Sequence, residues 1–325
     1  MRHVGLGARA DAYLETLTSD AFETSKIEGE NLDYVAVRSS VAERLGMRGA
    51  VQVHPDDRAR GVAEMTLDAT QNFCEPLTAD RLFNWHRLLL PGEQHLKVGD
   101  WRAGPVSVIN EQRAGLPPII HFVGPPAERV PTEMSRFLEW FNAPYNGEGL
   151  LRSALAHLWF LTIHPFEDGN GRIARAIADM ALAQDEKTER RYFSMTKMIH
   201  ERRKAYYEVL ERTQRGTLDV TDWLVWYFLC LGEAIQNAQR VLADTLKAGA
   251  FWAAHSDVAF SERQRKVMTC VLHGYDGRIT TKNWSRLGNT SRETAGRDLQ
   301  DLVEKGVLFP EGAGRSAHYV LREFV

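Results

Sequence analysis

A short segment of the sequence combines residue types that could act together on a phosphate group. It runs from His164 to Arg175 and reads HPFEDGNGRIAR. Its two glycines flank an asparagine, and because glycine carries no Cβ atom, successive backbone N–H groups can converge there on one anion. A helix that begins at this point would add the positive end of its dipole. The segment therefore predicts an anion-binding loop formed by Gly169, Asn170 and Gly171.

Charged and titratable side chains flank this predicted loop. Arg172 and Arg175 are three residues apart, so they would share a face of the following helix and could both hold the anion. Asp168 offers the hard oxygen ligand that Mg²⁺ prefers. His164 could take a proton from an attacking hydroxyl, because the ordinary pKa of histidine is about 6.5. Together these residues predict nucleotide phosphate chemistry, without the GxxxxGK[ST] pattern of a Walker A loop or the strand that precedes a dinucleotide fingerprint.

The sequence around the loop predicts mostly helices. Apolar residues recur three and four positions apart in the segments Thr78–Leu90, Thr132–Asn142, Leu150–Thr162, Ile173–Ala183, Lys204–Thr213 and Val220–Ala248. Proline disfavours a helical conformation in the residue before it, so the helix that precedes the loop would end at His164 and Pro165. Two apolar runs, Val106–Ile109 and Ile119–Val123, are separated by a polar stretch with Gly and Pro and predict a β-hairpin.

The C-terminal part of the chain differs in charge and in pattern. Ser261–Val325 contains eleven Lys and Arg residues against eight Asp and Glu residues, whereas the whole chain has a net charge of −3. It predicts two helices, a third helix over Ser291–Lys305 and a terminal hairpin. This is the order of a winged helix-turn-helix, whose third helix would enter the major groove of DNA. Because the basic excess is modest, DNA binding and protein docking both remain open for this domain.

The composition excludes several classes of protein. The chain has 325 residues, of which 44% are hydrophobic and 26% charged, as in ordinary globular proteins. A net charge of −3 argues against a chain that coats nucleic acid or a membrane along its whole length. Three widely spaced cysteines cannot form a disulfide framework. No signal peptide is visible, and no stretch approaches the roughly eighteen uninterrupted apolar residues of a membrane span. We therefore expect a cytoplasmic protein without a membrane partner.

The segment HPFEDGNGRIAR matches in full the signature HPFx[D/E]GNGRxxR. The chain thereby resembles the Fic family, whose enzymes move AMP from ATP onto protein hydroxyls. The resemblance covers about residues 24–248. It implies that His164 is the catalytic base, that Asp168 binds Mg²⁺ and that the glycine-flanked loop is an anion hole.

The resemblance also assigns the two arginines and the reaction type. Arg172 would hold the inner phosphates of ATP, and Arg175 would hold the γ-phosphate. The Doc branch of the family, which phosphorylates its target, has lysine at the position of Gly171. Glycine there favours AMP transfer.

A second match lies near the N-terminus. The residues TSKIEG, from Thr24 to Gly29, resemble [S/T]xxxE[G/N], the inhibitory helix motif of the family. Thr24 and Glu28 are four residues apart and would lie on one helical face. The resemblance implies that the Glu28 carboxylate binds Arg175 and inhibits AMP transfer.

Two further regions resemble parts of the family's site. The hairpin over residues 106–123 corresponds to the flap, which pins a segment of the target protein by main-chain pairing. Tyr206, Tyr207 and Gln214 resemble the segment that lines the adenine side of the site, where aromatic rings would stack on the base. The implied partners are therefore ATP and a protein with an accessible hydroxyl side chain.

The sequence thus predicts a mostly α protein with three parts. These are an N-terminal helical region over residues 1–60 with the inhibitory helix at about 20–30, a Fic core with a β-hairpin flap over 61–250, and a C-terminal winged helix-turn-helix over 256–325. The predicted function is Mg²⁺-dependent, auto-inhibited transfer of AMP from ATP to a Ser, Thr or Tyr hydroxyl. Removal of AMP by the same site, and a DNA-binding regulator whose core senses nucleotide, remain alternatives. A homodimer also remains open.

Overall fold

The chain is mostly helical. The computed structural model describes residues 2–47, 56–110, 119–144, 147–272, 275, 277–312 and 316–321. Within these residues it forms thirteen α-helices and four strands, which in chain order are α1 (Arg2–Ile27), α2 (Tyr34–Arg44), α3 (Asp57–Gln71), α4 (Ala79–Leu89), β1 (Ser107–Asn110), β2 (Ile119–Val123), α5 (Val130–Asn142), α6 (Gly149–Ile163), α7 (Asn170–Glu186), α8 (Met195–Glu201), α9 (Arg203–Arg215), α10 (Thr221–Ala254), α11 (Glu262–Leu272), α12 (Thr281–Leu287), α13 (Arg292–Glu304), β3 (Leu308–Glu311) and β4 (His318–Leu321). The predicted mostly α fold is confirmed, and each helical segment predicted from apolar periodicity falls on a helix.

The chain divides into two compact units. One is formed by residues 9–235, and the other by residues 236–325 together with residues 1–8. The domain limits predicted from the sequence stay predictions, because a compact unit need not be a domain that folds alone. In the part of the chain that the structure describes, no helix combines the length and the apolar character needed to cross a membrane.

Two adjacent helices form the centre of the unit of residues 9–235. α6 is apolar on nearly all sides, as expected for a helix surrounded by others. α7 packs against it, and the Ser153 hydroxyl of α6 donates to the carbonyl of Ala178 in α7 at 2.8 Å. The loop that joins these helices therefore begins and ends on elements that are fixed in the core.

The predicted hairpin is present beside this core. β1 and β2 pair in antiparallel orientation, with a register shift in the middle. The connecting residues 111–118 lie outside the described residues. On α9, Arg215 donates to two carbonyls of β2, from Nε to His121 at 2.8 Å and from Nη2 to Ile120. The hairpin is thus attached to the helical core on its β2 side.

The C-terminal unit has its own small core, and its helix α11 begins with a capping box. The backbone N–H of Ser261 donates to Gln264 Oε1 at 2.8 Å, and that of Gln264 donates to Ser261 Oγ at 3.2 Å. Trp284 and Leu299 are buried between the helices of this unit.

The remaining elements of this unit follow the predicted order. α11, α12 and α13 precede the antiparallel pair of β3 and β4, and Ile279 forms an isolated bridge with Tyr319. Residues 313–315 of the glycine-rich hairpin tip lie outside the described residues. The assignment as a winged helix-turn-helix stays a prediction.

Candidate active site

The loop between α6 and α7 is shaped by its own residues. α6 is followed by His164 in a left-handed conformation, with φ 50° and ψ 59°, and Pro165 stops the helix. Phe166 is fully buried and stacks on His86, with 4.1 Å between ring centroids. The Asn170 side chain closes the loop, because its Oδ1 accepts from Phe166 N at 3.0 Å and its Nδ2 donates to Phe166 O at 2.8 Å. Protein contacts alone hold this loop in shape.

The start of α7 presents backbone N–H groups beside this loop. The first N–H groups of a helix have no acceptor within the helix, and Gly169, with φ 78°, turns the chain into α7. The Asn170 side chain is hydrogen-bonded within the loop, so only the backbone N–H of Asn170 can bind an anion. A Cβ atom on Gly171 would collide with Oε1 of Glu28 and would lie 3.3 Å from Nη1 of Arg175. The Glu28 carboxylate therefore lies directly over the predicted anion-binding position.

His164 has one ring nitrogen fixed by the backbone. Its Nδ1 is 3.1 Å from the carbonyl oxygen of Leu161, so the neutral tautomer that donates there leaves Nε2 as an acceptor. Burial lowers the pKa of His164, and the Arg102 guanidinium lowers it further, while the Leu161 carbonyl and Glu28 act in the opposite direction. A neutral imidazole at neutral pH is the form that a general base requires.

Arg102 joins this loop to the hairpin. Its Nε donates to the carbonyl of His164 at 2.7 Å, and its backbone N–H donates to the carbonyl of Pro165 at 2.9 Å. Its Nη2 donates to the carbonyl of Pro125 at 2.5 Å. Arg102 was not predicted as a functional residue from the sequence. Its only signal there is an arginine shortly before the predicted hairpin.

Arg175 is almost completely buried and is held by the predicted inhibitory motif, whose Thr24 lies in α1 and whose Glu28 directly follows the last residue of α1. Its Nε donates to Thr24 Oγ1 at 2.7 Å, and its Nη2 donates to Thr24 O at 3.0 Å and to Glu28 Oε1 at 2.7 Å. Burial by itself would lower the pKa of Arg175, but the Glu28 carboxylate, together with the neighbouring Tyr206 and Tyr207, raises that pKa overall. The structure thus brings together Thr24, Glu28 and Arg175, which the sequence motif linked.

Arg172 is equally buried and forms an ion pair that the sequence did not predict. Its Nη1 is 2.7 Å from Glu30 Oε2, and its Nη2 is 3.4 Å from Asp168 Oδ2. Glu30 directly follows the six-residue inhibitory motif, so the motif pattern ends just before it. Both arginines beside the loop are therefore bound by carboxylates in this conformation.

Asp168 supplies a single carboxylate for the predicted Mg²⁺. Its Oδ1 accepts from the backbone N–H of Gly169 at 2.6 Å, and half of the side chain is exposed. The described residues contain no group of three His, Cys, Asp or Glu side chains that could hold a metal ion. Mg²⁺ is commonly bound by one or two protein carboxylates together with substrate phosphates and water. The donor set fits a Mg²⁺ ion that arrives with a nucleotide, and its binding stays a prediction.

The residues predicted for the adenine side lie in different surroundings. Tyr206 is buried, with its hydroxyl 2.8 Å from His157 Nε2, whereas Tyr207 is half-buried beside the guanidinium of Arg203. Gln214 lines a cavity of about 600 Å³. In this conformation Tyr207 and Gln214 are therefore more accessible than Tyr206, and adenine binding stays a prediction for all three.

Comparison with known families agrees with this geometry. A family model described as the Fic/DOC family matches residues 76–182, which include the α6–α7 loop and both arginines. The chain thus contains a Fic domain. A second model, described as a domain of unknown function (DUF4172), matches residues 1–47.

Proteins similar to this chain are named either as a uridine 5'-monophosphate transferase or as protein adenylyltransferases. Uridine 5'-monophosphate transferase of Xanthomonas campestris is 34% identical over 124 residues, which are 33% of this chain and 21% of that protein. Protein adenylyltransferase Fic of Drosophila willistoni is 25% identical over 214 residues, 65% of this chain and 39% of that protein. The protein of the same name from Nematostella vectensis is also 25% identical, over 64% of this chain and 45% of its own length. The chain spans less than half the length of each of these relatives.

Solved Fic structures share the fold. A Fic family protein from Desulfovibrio desulfuricans has 22% identity and a TM-score of 0.53, covering 98% of this chain and 88% of its own. A Fic domain containing signalling protein from Bacteroides thetaiotaomicron has 21% identity and a TM-score of 0.52, covering 72% of this chain and 88% of its own. At such identities the likeness concerns the fold alone, and the predicted Fic-type fold is confirmed.

Proposed function

We propose that this Fic chain is a protein adenylyltransferase that its own N-terminal segment inhibits. The observation that carries the proposal is the start of α7, where His164, Asp168, Arg172 and Arg175 surround one set of backbone N–H groups and Glu28 lies over them. A triphosphate bound there would share its charge between two guanidinium groups and a helix N-terminus. Relatives named adenylyltransferase match about two-thirds of the chain, which supports ATP as the donor.

In the proposed reaction, the oxygen of a Ser, Thr or Tyr hydroxyl attacks the α-phosphorus of ATP. His164 takes the hydroxyl proton while the new O–P bond forms. The bond between the α-phosphorus and the oxygen that bridges it to the β-phosphorus breaks, and pyrophosphate leaves. The N–H groups of α7 and the Arg172 guanidinium stabilise the charge that develops on the phosphoryl oxygens. Asp168 would hold Mg²⁺, which neutralises phosphate charge when it is bound.

Position 171 supports AMP transfer over phosphorylation. The phosphorylating Doc branch, which the chain resembles, has lysine at this position. A side chain at Gly171 would collide with the Glu28 carboxylate. Glycine is therefore compatible with the observed place of Glu28 over the start of α7, and lysine is not.

The contact between Glu28 and Arg175 supports inhibition. Glu28 occupies the guanidinium that the γ-phosphate would need. While this ion pair lasts, the γ-phosphate must bind elsewhere, which moves the α-phosphorus out of line with the attacking hydroxyl. A displacement of about 1 Å can cost on the order of 10²-fold in rate. Wild type should therefore transfer AMP poorly on its own.

The test is incorporation of label from ATP labelled at its α-phosphate. We expect Glu28→Gly to raise transfer about 10²-fold over wild type. Adding His164→Ala to Glu28→Gly should lower it again by about 10²-fold or more, since proton transfer is lost. A Glu28→Gly variant no faster than wild type would contradict the inhibitory assignment. If the double variant still transfers AMP at a rate within about tenfold of that of Glu28→Gly, another residue is the base. Labelled UTP in parallel measures the nucleotide preference.

Removal of AMP from a protein by the same site is a second candidate. The Glu28 carboxylate lies over the start of α7, which follows the loop that begins at His164, so it could orient a water molecule there. The test uses AMP-modified Glu28→Gly protein, freed of ATP and then mixed with wild type. Loss of AMP from the variant, followed by mass spectrometry, would support removal. A modification that persists would contradict it.

The remaining partners stay predictions. A target segment would pair with the flap over residues 106–123, and DNA or protein would bind the C-terminal unit. The homodimer and the cytoplasmic location are also expectations from the sequence.

A further inference from the structure

The segment that follows α1 carries two carboxylates, and each binds a different arginine of α7. Glu28 binds Arg175, and Glu30 binds Arg172, with 2.7 Å between the paired atoms in both cases. Both arginine residues are 2% exposed. We propose that Glu30 is a second inhibitory residue, which blocks the position of the inner phosphates while Glu28 blocks that of the γ-phosphate. This proposal rests on the proposed function, which assigns Arg172 to the inner phosphates.

The turn after α1 explains why both carboxylates reach the same place. α1 ends in a Schellman motif, in which Gly29 N donates to Lys26 O at 3.1 Å and Glu30 N donates to Ser25 O at 3.0 Å. Gly29 adopts φ 87°, a conformation that disfavours residues with a Cβ atom. Glu28 and Glu30 therefore flank one fixed turn, and both carboxylates lie against the start of α7.

The two ion pairs leave the arginines incompletely hydrogen-bonded. Nε of Arg172 and Nη1 of Arg175 are buried, and neither has a hydrogen-bond partner among the residues that the structure describes. A buried donor without a partner is costly, and a phosphate group offers more acceptor oxygens than one carboxylate. Carboxylates at the C-terminal end of a helix also oppose the dipole of that helix. These features favour exchange of Glu28 and Glu30 for phosphate oxygens over a permanent bond.

A purely structural Glu30 would behave differently from an inhibitory one. An ion pair that only holds the turn would stabilise the fold and leave the affinity for nucleotides unchanged. A carboxylate that competes with the inner phosphates weakens the binding of every nucleotide that has them, including ADP. Glu28 pairs with Arg175, the guanidinium assigned to the γ-phosphate, which ADP lacks, so the charge of Glu28 should affect ADP binding less than that of Glu30. ADP therefore separates the effects of the two carboxylates.

The test is isothermal titration calorimetry of the whole chain with Mg·ADP and with Mg·ATP. Glu30→Gln keeps the shape of the side chain and removes its charge, and we expect it to tighten ADP binding about tenfold, the scale of one charged hydrogen bond. Glu28→Gln should tighten ADP binding clearly less than Glu30→Gln does and should tighten ATP binding. Glu139→Gln, on an exposed position of α5, controls for the loss of one negative charge.

The outcomes separate this inference from the proposed function. An ADP affinity of Glu30→Gln within about twofold of wild type overturns the second inhibitory residue. If Glu28→Gly nevertheless transfers AMP, the proposed function stands without it. If no variant transfers AMP and none binds Mg·ATP, the proposed function itself fails.

AMP transfer provides a second readout of Glu30. At ATP concentrations below saturation, Glu28→Gly with Glu30→Gln should transfer AMP about tenfold faster than Glu28→Gly alone, because the inner phosphates then bind without competition. If Glu30→Gln does not fold, Glu30→Asp replaces it, since the shorter side chain keeps the charge but withdraws it from Arg172. Glu30→Asp should also tighten ADP binding, and an unchanged affinity would overturn the proposal in the same way.

Discussion

The segment from α1 to Glu30 meets the helical core through two charged clusters that differ in their surroundings. In α1 itself, Asp20 lies beside Arg191 and Asp179, and all three side chains are at most 7% exposed. Beyond the end of α1, Glu28 and Glu30 bind two buried arginines but are themselves 28% and 24% exposed. In the first cluster, which we call the closed cluster, the acidic and basic side chains are all buried. In the second, the open cluster, the arginines are buried but the carboxylates are partly exposed to solvent.

This difference separates a permanent contact from an exchangeable one. Removing one partner from a buried ion pair leaves an uncompensated charge, so the Asp20 cluster fixes α1 to the core. At the open cluster, phosphate oxygens can replace the two carboxylates while the arginines stay neutralised. In the proposed inhibition, the turn that holds Glu28 and Glu30 can therefore open without detachment of α1. The contrast teaches that an ion pair can exchange its carboxylate for a phosphate when the carboxylate is partly exposed. The number of ion pairs in the cluster does not decide this.

The largest expected effect concerns the closed cluster. Arg191→Ala leaves the buried Asp179 carboxylate, which lies beside Asp20, without its cation and should lower the free energy of unfolding by about 3–5 kcal/mol. Arg175→Ala should cost clearly less, because the freed Glu28 can reach water. Urea denaturation of both variants measures the difference. Equal losses would break the distinction between the two clusters.

A smaller effect separates the two ways of opening the exchangeable cluster. Arg175→Ala and Glu28→Gly both remove the same ion pair, but only Glu28→Gly keeps the guanidinium for the γ-phosphate. We expect AMP transfer by Arg175→Ala to stay at least about tenfold below that of Glu28→Gly. Labelled ATP at one fixed concentration measures both variants. Comparable rates would show that Arg175 serves inhibition alone.

The closed cluster should also make stability depend on pH. Burial, and next the neighbouring Asp179, raise the pKa of Asp20 from 3.8 to about 8. Between these two values the folded state keeps a proton that the unfolded state has lost, so stability falls as pH rises from about 4 to about 8. Asp20→Asn should reduce this slope, by at most the roughly 1.4 kcal/mol per pH unit that one proton contributes. Melting temperatures across this range measure it, and an unchanged slope would assign the titration to another group.

The smallest expected effect concerns the turn between the two inhibitory carboxylates. A Cβ atom on Gly29 would meet no atom within 4 Å, so a substitution there tests the left-handed backbone without a steric collision. Gly29→Ala should loosen the turn by roughly 1–2 kcal/mol and raise AMP transfer several-fold. Gly29→Asn, which tolerates this conformation, should stay within about twofold of wild type. If both variants transfer AMP at the wild-type rate, the turn does not set the strength of inhibition.

The main segment of the candidate site could be predicted from the sequence because its residues lie close together along the chain. The base, the loop, the acidic residue and both arginines fall within the twelve residues HPFEDGNGRIAR, and the helices on either side have long apolar faces. Glu28 and Thr24 were predictable because a motif already joins them to Arg175. α8, with seven residues, is too short to give a periodic pattern.

Other parts of the site depend on contacts between distant residues. Glu30 and Arg172 are 142 residues apart in the sequence, and no local pattern links them. Arg102 acts through the carbonyls of His164 and Pro125, which any residue could supply. Tyr206 has an aromatic ring suited to stacking, but tertiary packing buries it. These features follow from packing and are absent from local spacing.

The internal bonds of the α6–α7 loop also have a kinetic consequence. Because Asn170 and Phe166 hold the loop in shape beforehand, nucleotide association does not wait for the loop to fold. Under the proposed inhibition, it waits until Glu28 and Glu30 have left the two arginines of α7. The observed association rate should therefore stop rising with nucleotide concentration once it reaches the rate at which the turn opens. Two variants with the same affinity for ATP would then respond at different speeds to a rise in ATP, according to how long the turn stays closed.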